Sequence, residues 1–386
     1  MEEDYHCMDT ILVHGDKGYD SHTGAISYPI YQTATFKHPG LNQSTGFDYS
    51  RVSNPTRDEL EHTIAKLERG KMAFAFSSGM AGITAVFNLF SAGEHIIVSD
   101  DLYGGTYRLF EEICTKQGME FSYVDTSKVE NVLQELRSNT SCIFIETPSN
   151  PMMKVTDIKK VAKLARESNA LMVVDNTFLT PYLQRPIELG ADIVVHSGTK
   201  YLAGHNDTLA GFVIANDQKI IDQLSLIYKT TGAVLSPFDS WLVLRGLKTL
   251  GIRLEKQERN ALKIAQWLKE HKYIERVLYV GLAEHQGFDI SRQQATGAGA
   301  MISFVVQDKE IVKKVLENLQ IISFAESLGG VESLITYPIA QTHCDIPDEM
   351  RERLGVNDRL LRLSVGIEDA NDLIRDLEQA LVWGID

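Results

Sequence analysis

The sequence predicts an α/β fold in which helices cover a mostly parallel central sheet and a smaller α+β C-terminal domain follows. Between about residues 59 and 245, short apolar runs alternate with charged amphipathic stretches. Apolar runs of this kind are typical of parallel strands that are buried on both faces. Polar residues follow almost every run, at the point where open α/β sheets bind ligands. A chain of 386 residues also exceeds what one hydrophobic core usually serves, which favours two domains.

The predicted elements divide the chain into three parts. Residues 1–58 are predicted to form an extended arm that lies on a neighbouring subunit, residues 59–245 the α/β domain and residues 246–386 the smaller domain. A long amphipathic stretch at 242–270 is predicted to bridge the two domains. In the α/β domain, strands are predicted at 73–76, 95–98, 142–145, 171–174, 192–195 and 210–214, and helices at 58–69, 107–117, 128–137 and 157–168. In the smaller domain, strands are predicted near 300–306 and 362–365, and helices near 309–318 and 370–382.

The composition argues against several classes of protein. A net charge of −14 repels phosphate backbones and anionic lipids, so neither a nucleic-acid nor a membrane partner is expected. The uncharged run 72–93 is long enough to span a bilayer, but Ser77, Ser78 and Gly79 interrupt it, which favours a buried strand, turn and helix. Four cysteines without CxxC spacing and an acidic N-terminus favour a reducing, cytoplasmic location.

A lysine follows the predicted strand at 192–195, after two hydroxyl side chains and a glycine. The segment reads Ser197-Gly198-Thr199-Lys200. Hydroxyl groups in a turn at a strand end are good phosphate ligands, and an amine held beside them can condense with an aldehyde. Taken alone, the segment is also consistent with a surface lysine after a loop.

A carboxylate follows the preceding strand. Asp175 comes directly after the run 171–174, and a buried carboxylate requires a partner. The protonated pyridine nitrogen of pyridoxal 5′-phosphate (PLP) is such a partner. A helix N-cap is the alternative interpretation of Asp175. Because Asp175 and Lys200 follow consecutive strands, the pair predicts a PLP site.

Two further motifs are compatible with this cofactor. Ser78, Gly79 and Met80 lie between a predicted strand and a predicted helix, where free backbone N–H groups bind anions. Tyr103 precedes two glycines. The glycines let the backbone approach a ligand closely, and the tyrosine ring can stack on a flat heteroaromatic group. The alternatives are a plain tight turn for the first motif and a buried structural tyrosine for the second.

Motifs for other chemistries are weak. The segment 297–299 lacks the third glycine of a dinucleotide fingerprint. His343 and Cys344 have no second ligand cluster, so no metal site is expected. The chain contains neither a Walker A lysine nor a GxSxG elbow.

Together these motifs resemble the Cys/Met-metabolism family of PLP enzymes, which includes cystathionine γ-synthase, the cystathionine lyases, methionine γ-lyase and O-acylhomoserine sulfhydrylases. The resemblance runs from residues 27–33 to residues 363–368. It implies the type I PLP-dependent transferase fold, PLP as the cofactor and amino acids as substrates. It also implies a homotetramer, a dimer of dimers with active sites shared between subunits.

The resemblance implies a role for each matching residue around the cofactor. Lys200 would form the Schiff base, Asp175 would contact the pyridine nitrogen and Tyr103 would stack on the ring. Tyr49 and Tyr103 would assist proton transfer or activate the nucleophile. The residues implied to hold the phosphate are Ser78, Gly79, Met80, Ser197 and Thr199, together with Tyr49 and Arg51 from the arm of a neighbouring subunit.

The substrate-binding residues are also implied by the resemblance. Asn150, Ser327 and Arg362 look like ligands of the substrate α-carboxylate. Arg362 has an independent physical reason, since its planar guanidinium matches a carboxylate with two hydrogen bonds; the alternative is a surface salt bridge. Asp48 and Glu326 are interpreted as facing the distal part of the substrate, where they would orient an ammonium group. The alternative is that one or both bond the arm backbone.

The segment 326–343 is most similar to bacterial cystathionine γ-synthase / O-acetylhomoserine thiolyase enzymes. This similarity implies γ-replacement on an O-acylhomoserine by cysteine, with sulfide as a second nucleophile. A cystathionine β- or γ-lyase is the main alternative, since lyases can carry the same acids. A PLP-binding protein without turnover is another. Lys200 is the expected base for the Cα proton, because a cationic cofactor depresses the pKa of a neighbouring amine.

Overall fold

The structure, a computed structural model, describes residues 7–382. They form two sheets, one of seven and one of five strands. The strands of the larger sheet are β1 (Met72–Phe76), β2 (His95–Ser99), β3 (Glu120–Val124), β4 (Thr140–Glu146), β5 (Leu171–Asp175), β6 (Ile193–Ser197) and β7 (Gly211–Ala215). The strands of the smaller sheet are β8 (Ile274–Leu278), β9 (Met301–Val306), β10 (Ser323–Phe324), β11 (Leu334–Thr336) and β12 (Leu360–Ser364).

The helices lie along the chain before, between and after these strands. None of those within residues 7–382 is both long and apolar enough to cross a bilayer. The helices are α1 (Met8–His14), α2 (Pro55–Glu68), α3 (Gly79–Phe87), α4 (Gly104–Leu109), α5 (Val129–Glu135), α6 (Ile158–Glu167), α7 (Thr180–Leu183), α8 (Pro186–Leu189), α9 (Gln218–Thr231), α10 (Pro237–Leu247), α11 (Leu250–Glu270), α12 (Phe288–Gln294), α13 (Lys309–Asn318), α14 (Asp348–Leu354) and α15 (Ala370–Leu381).

The larger sheet has the strand order β1-β7-β6-β5-β4-β2-β3. Only β7 is antiparallel to its neighbours, so the expected mostly parallel α/β sheet is confirmed. Its central strands are buried on both faces: Ile143 packs into the apolar cluster on one side and Phe144 into the cluster on the other. Burial on both faces explains why these strands are continuous apolar runs in the sequence.

The parallel strands bring their polar last residues to one edge of the sheet. Glu146, at the end of β4, lies opposite Asp175, at the end of β5. Ser197, at the end of β6, lies close by because Asp175 pairs with Val195. The carboxyl edge of this sheet is therefore where the predicted cofactor residues meet.

The structure differs from the sequence expectations at several elements. β3 was not predicted, since it is an edge strand with only partly buried side chains. The amphipathic stretch 242–270 is two helices, α10 and α11, that are interrupted at Lys248 and Thr249. Helix α2 begins at Pro55 rather than at residue 58, because the side chain of Asn54 accepts a hydrogen bond from Thr56 N and caps it. The short helix α1 lies inside the predicted arm.

Candidate active site

A cavity of about 210 Å³ lies at the carboxyl edge of the larger sheet and extends to the smaller sheet. The cavity brings together predicted site residues from both sheets and from the loops between them. The predicted residues that line it are Ser78, Gly79, Met80, Tyr103, Asn150, Asp175, Ser197, Thr199, Lys200, Glu326, Ser327 and Arg362. The arm residues Asp48, Tyr49 and Arg51 do not line the cavity of their own chain.

Lys200 lies three residues beyond the end of β6, with its amine directed into the cavity. Its Nζ donates a hydrogen bond to Ser327 Oγ at 3.0 Å, which joins the larger sheet to a loop of the smaller one. Burial and the positive charge of Arg362 lower the pKa of Lys200 to about 8. The amine is therefore unprotonated in far more molecules at neutral pH than an exposed lysine would be, which excludes the plain surface lysine.

Asp175 and Glu146 form a pair of carboxyl groups on adjacent strand ends. Asp175 Oδ1 accepts a hydrogen bond from Thr177 N at 2.9 Å, and no helix begins there, so the N-cap interpretation is wrong. Burial raises the pKa of both groups, and the neighbouring Asp175 charge raises that of Glu146 well above its usual range. We assign the proton to Glu146, because it is the more buried and Asp175 is stabilised by the hydrogen bonds of Thr177.

The turn before α3 places Ser78, Gly79 and Met80 along the cavity. The side chain of Ser78 caps α3 by accepting from Ala81 N at 3.1 Å. A Cβ atom on Gly79 would lie 3.0 Å from Ser197 Cβ, so glycine lets the turn approach β6 closely without displacing Ser197. Thr199 also lines the cavity, and its Oγ1 accepts from Ala210 N at 3.0 Å. Small side chains at a helix N-terminus suit a phosphate group.

Arg362, on β12, is the buried cation of the cavity, with 1 % of its surface exposed. Its Nη1 donates to Asn150 Oδ1 at 2.8 Å, and its Nη2 donates to Ser327 O and Thr336 Oγ1, both at 3.1 Å. Within residues 7–382 its Nε has no partner, and no carboxylate forms an ion pair with it. A surface salt bridge is therefore excluded, and an anion is the partner that this buried charge lacks.

Tyr103 and Glu326 lie at the mouth of the cavity. Tyr103 is 37 % exposed, so it is not a buried structural tyrosine. Its backbone N–H donates to Glu146 at 3.0 Å, and a Cβ atom on Gly105 would lie 2.5 Å from its ring. Burial and the charge of Glu326 raise the pKa of Tyr103, so its hydroxyl keeps its proton at neutral pH.

The arm residues lie away from this cavity. Arg51 donates a hydrogen bond to Lys229 O, and Tyr49 is 47 % exposed. The Asp48 carboxylate bonds Ser44 Oγ at 2.6 Å and lies 3.3 Å from His38 Nε2, so within its own chain it bonds other arm residues.

Further residues line the cavity without having been predicted as site residues. Thr177 links two predicted residues, because its Oγ1 accepts from Ser197 N and its N–H donates to Asp175. Glu146 is the last residue of β4, and Thr177 lies two residues beyond the end of β5. Their position at strand ends is the signal that could have identified them; the apolar residues carry no such signal. The additional lining residues are Ile83, Glu146, Thr177, Phe178, Leu209, Leu328 and Thr342.

The arrangement fits PLP. A buried amine can bind its aldehyde, a buried carboxylate on the next strand can bind its pyridine nitrogen, and the α3 turn can bind its phosphate. The fold and the cavity thus define a PLP-dependent enzyme of the type I transferase fold, with PLP as its cofactor. A sequence model of the Cys/Met metabolism PLP-dependent enzymes matches residues 9–382, and the chain belongs to this family of trans-sulfuration enzymes.

Relatives with different activities are similar to the chain. It is 51 % identical to a cystathionine β-lyase from Lactococcus lactis subsp. cremoris, over 97 % of this chain and 98 % of the relative. It is 50 % identical to a cystathionine γ-synthase/O-acetylhomoserine (thiol)-lyase from Bacillus subtilis, over 94 % and 93 %. The crystal structure of cystathionine γ-lyase from Lactobacillus plantarum complexed with L-serine superposes with a TM-score of 0.96 at 43 % identity, over 98 % and 99 %.

Proposed function

We propose that this enzyme makes cystathionine by γ-replacement, in which the thiol of cysteine displaces the acyloxy group of an O-acylhomoserine. A C–S bond forms, the Cγ–O bond breaks, and the thiol proton leaves with the released carboxylic acid. The observation that carries the proposal is the buried Arg362, which has no ion-pair partner among residues 7–382, in the same cavity as the carboxylate of Glu326. Such a cavity suits a substrate with a carboxylate at one end and an ammonium group at the other.

The cofactor would be held by the residues that line the cavity and by the arm of a neighbouring subunit. When bound, PLP delocalises the electrons that are released at the substrate α-carbon. The proposed ligands are Lys200, Asp175 and Tyr103, with Ser78, Gly79, Met80, Ser197 and Thr199 at the phosphate, joined by the neighbour's Tyr49 and Arg51. The exposure of the arm and the absence of Tyr49 and Arg51 from their own cavity support sites that two subunits share. The resemblance to the family extends this proposal to a homotetramer built from such dimers. The four free cysteines suit a reducing compartment.

Lys200 would move protons at Cα and Cβ of the substrate. Its lowered pKa makes the amine a base near neutral pH, and the hydrogen bond to Ser327 Oγ holds it beside the proposed carboxylate ligands. Tyr103 keeps its proton, so it would assist by donating to the leaving oxygen. Asn150, Ser327 and Arg362 would bind the α-carboxylate, while Glu326 would orient the ammonium of cysteine, with Asp48 from the arm as a second candidate.

A cystathionine lyase is the second candidate function. The β-lyase from Lactococcus lactis and a γ-lyase from Bacillus subtilis, which is 48 % identical over 96 % of this chain, support it. Glu326 would serve a lyase equally, since cystathionine carries the same distal ammonium group.

Two incubations separate these activities. The enzyme is incubated with O-acetylhomoserine plus cysteine, and separately with cystathionine alone. Cystathionine formed in the first and no keto acid in the second supports the synthase. Rapid release of pyruvate or 2-oxobutanoate in the second contradicts it and identifies a lyase. A yellow protein without turnover in either incubation would be a non-catalytic PLP-binding protein.

A further inference from the structure

We infer that His343 is a positioning residue, which holds the Asn150 peptide, and through it the Arg362 guanidinium, in the geometry that binds the substrate α-carboxylate. The inference rests on the proposed carboxylate role of Asn150 and Arg362. These two residues come from different parts of the fold: Asn150 follows β4 of the larger sheet, and Arg362 lies on β12 of the smaller one. Their relative placement therefore depends on contacts between the two parts.

The ring of His343 makes one of these contacts. Its Nε2 lies 3.0 Å from Asn150 O, and its Nδ1 lies 2.8 Å from Thr342 Oγ1. A carbonyl oxygen can only accept, so Nε2 carries the proton and donates it to Asn150 O. In a neutral ring Nδ1 then accepts from the hydroxyl of Thr342, which itself lines the cavity.

The surroundings of His343 keep its ring neutral, so that Nε2 donates to Asn150 O and Nδ1 accepts. His343 is fully buried, and burial together with the nearby charges of Arg362 and Arg351 lowers its pKa to about 4. Arg351 Nη1 donates to His343 O at 3.3 Å, which fixes the backbone that carries the ring. The tautomer with a proton on Nε2 therefore persists across the physiological pH range.

The Asn150 loop is held at a second point. Asp101 accepts hydrogen bonds from Ser149 Oγ and, at 3.0 Å, from Met152 N. The Asn150 peptide lies between these two anchors, and His343 binds its carbonyl group. Without His343 this carbonyl would be buried without a partner, and the peptide that carries the Asn150 side chain would lose the anchor between these two points.

Two conservative variants separate positioning from a merely structural role. In His343→Gln, the amide N–H can occupy the position of Nε2 and still donate to Asn150 O. In His343→Asn, the amide corresponds to Nδ1 and is too short to reach it. The readout is the absorbance change of bound PLP on titration with glycine, which has a carboxylate, and with methylamine, which has none.

We expect His343→Asn to weaken glycine binding about tenfold, the effect of leaving one buried acceptor unpaired, with methylamine binding and PLP content unchanged. His343→Gln should restore most of the glycine affinity. His95→Gln is the matched control, because His95 is also fully buried between two hydroxyl groups but lies at the start of β2, away from the cavity.

Equal glycine affinities in His343→Asn, His343→Gln and the unmodified enzyme would overturn the inference, as would parallel losses for glycine and methylamine. Arg362→Lys distinguishes this failure from a failure of the proposed function. If Arg362→Lys weakens glycine binding and the His343 variants do not, only the positioning role is wrong. If Arg362→Lys has no effect either, the carboxylate assignment itself is wrong.

Discussion

Asp175, Glu146 and Arg362 are ionisable side chains deep in the cavity that form no ion pair with any other described residue. Burial alone disfavours the charged form of each. Protonation of Glu146 reduces the cost of burying the two carboxyl groups, because only Asp175 then carries a negative charge. Arg362 stays charged, supported by three neutral hydrogen-bond acceptors. The site is therefore arranged to receive one cationic and one anionic group.

Because Glu146 is neutral and Asp175 is charged, replacing each carboxyl group by an amide should affect activity very differently. Glu146→Gln should retain activity within a few-fold, because Glu146 is already neutral and an amide oxygen still accepts from Tyr103 N. Asp175→Asn should lower kcat by roughly 100-fold, as expected for removing one preorganised electrostatic partner. Steady-state kinetics of both variants provide the comparison. A large loss in Glu146→Gln with little loss in Asp175→Asn would show that the proton is on Asp175.

The Lys200 pKa predicts how the stability of the apoenzyme depends on pH. The folded chain holds this pKa at about 8, below the ordinary lysine value of 10.5. Between these pH values the unfolded chain binds more protons, so the stability contributed by Lys200 rises with pH. Relative to Lys200→Met, the unmodified apoenzyme should gain unfolding free energy from pH 8 to pH 10. Urea denaturation at both values measures it, and a constant difference between the two proteins would contradict the lowered pKa.

At the scale of elements, the site depends on backbones that approach each other closely. A Cβ atom on Gly211, in β7, would lie 2.0 Å from Ser78 O and 2.7 Å from Gly79 N. Neither atom belongs to a flexible side chain, so any larger residue must displace the turn before α3. The proposed phosphate site is thus shaped by a glycine that does not itself line the cavity.

We therefore expect Gly211→Ala to weaken PLP binding by about tenfold or more, the usual cost of overpacking a tight contact. Fluorescence or absorbance titration of the apoenzyme with PLP measures this. The matched control is Gly40→Ala in the arm, where a Cβ atom would meet only the side chain of Gln43 at 3.4 Å. Unchanged PLP affinity in Gly211→Ala would mean that the turn does not bind the phosphate.

The sequence predicts the elements whose residues are uniformly buried, and it does not predict those whose residues are only partly buried. The central strands were predicted because burial on both faces leaves a continuous apolar run. The edge strand β3 was not predicted, because Glu120, Ser122 and its other residues are at most partly buried. The interruption between α10 and α11 was not predicted either, because the amphipathic pattern continues through Lys248 and Thr249.

At the scale of the whole molecule, the position of the arm predicts that two inactive variants can complement each other in a mixed dimer. Arg51 lies outside its own cavity, where it bonds the backbone of Lys229. If it serves a neighbour's cofactor, Arg51→Ala and Lys200→Ala should each be nearly inactive. Mixing the two variants should then restore about a quarter of the activity, since half of the randomly mixed dimers would contain one intact site out of two. Activity after subunit exchange is the measurement.

The control for this mixture is Arg51→Ala combined with the double variant that carries both substitutions on one chain. This mixture contains no intact site if the sites are shared, and it should stay inactive. If exchange is demonstrated and the first mixture also stays inactive, Arg51 acts within its own chain.

By itself, the sequence determined the fold class and the cofactor, because these depend on local patterns: apolar runs, strand ends and the residues that follow them. Only the tertiary structure decided which distant groups meet. The contacts of Arg362 with Asn150, of Lys200 with Ser327 and of His343 with the Asn150 peptide each join segments more than 120 residues apart. Such contacts depend on how the two sheets pack, and no local pattern encodes that packing.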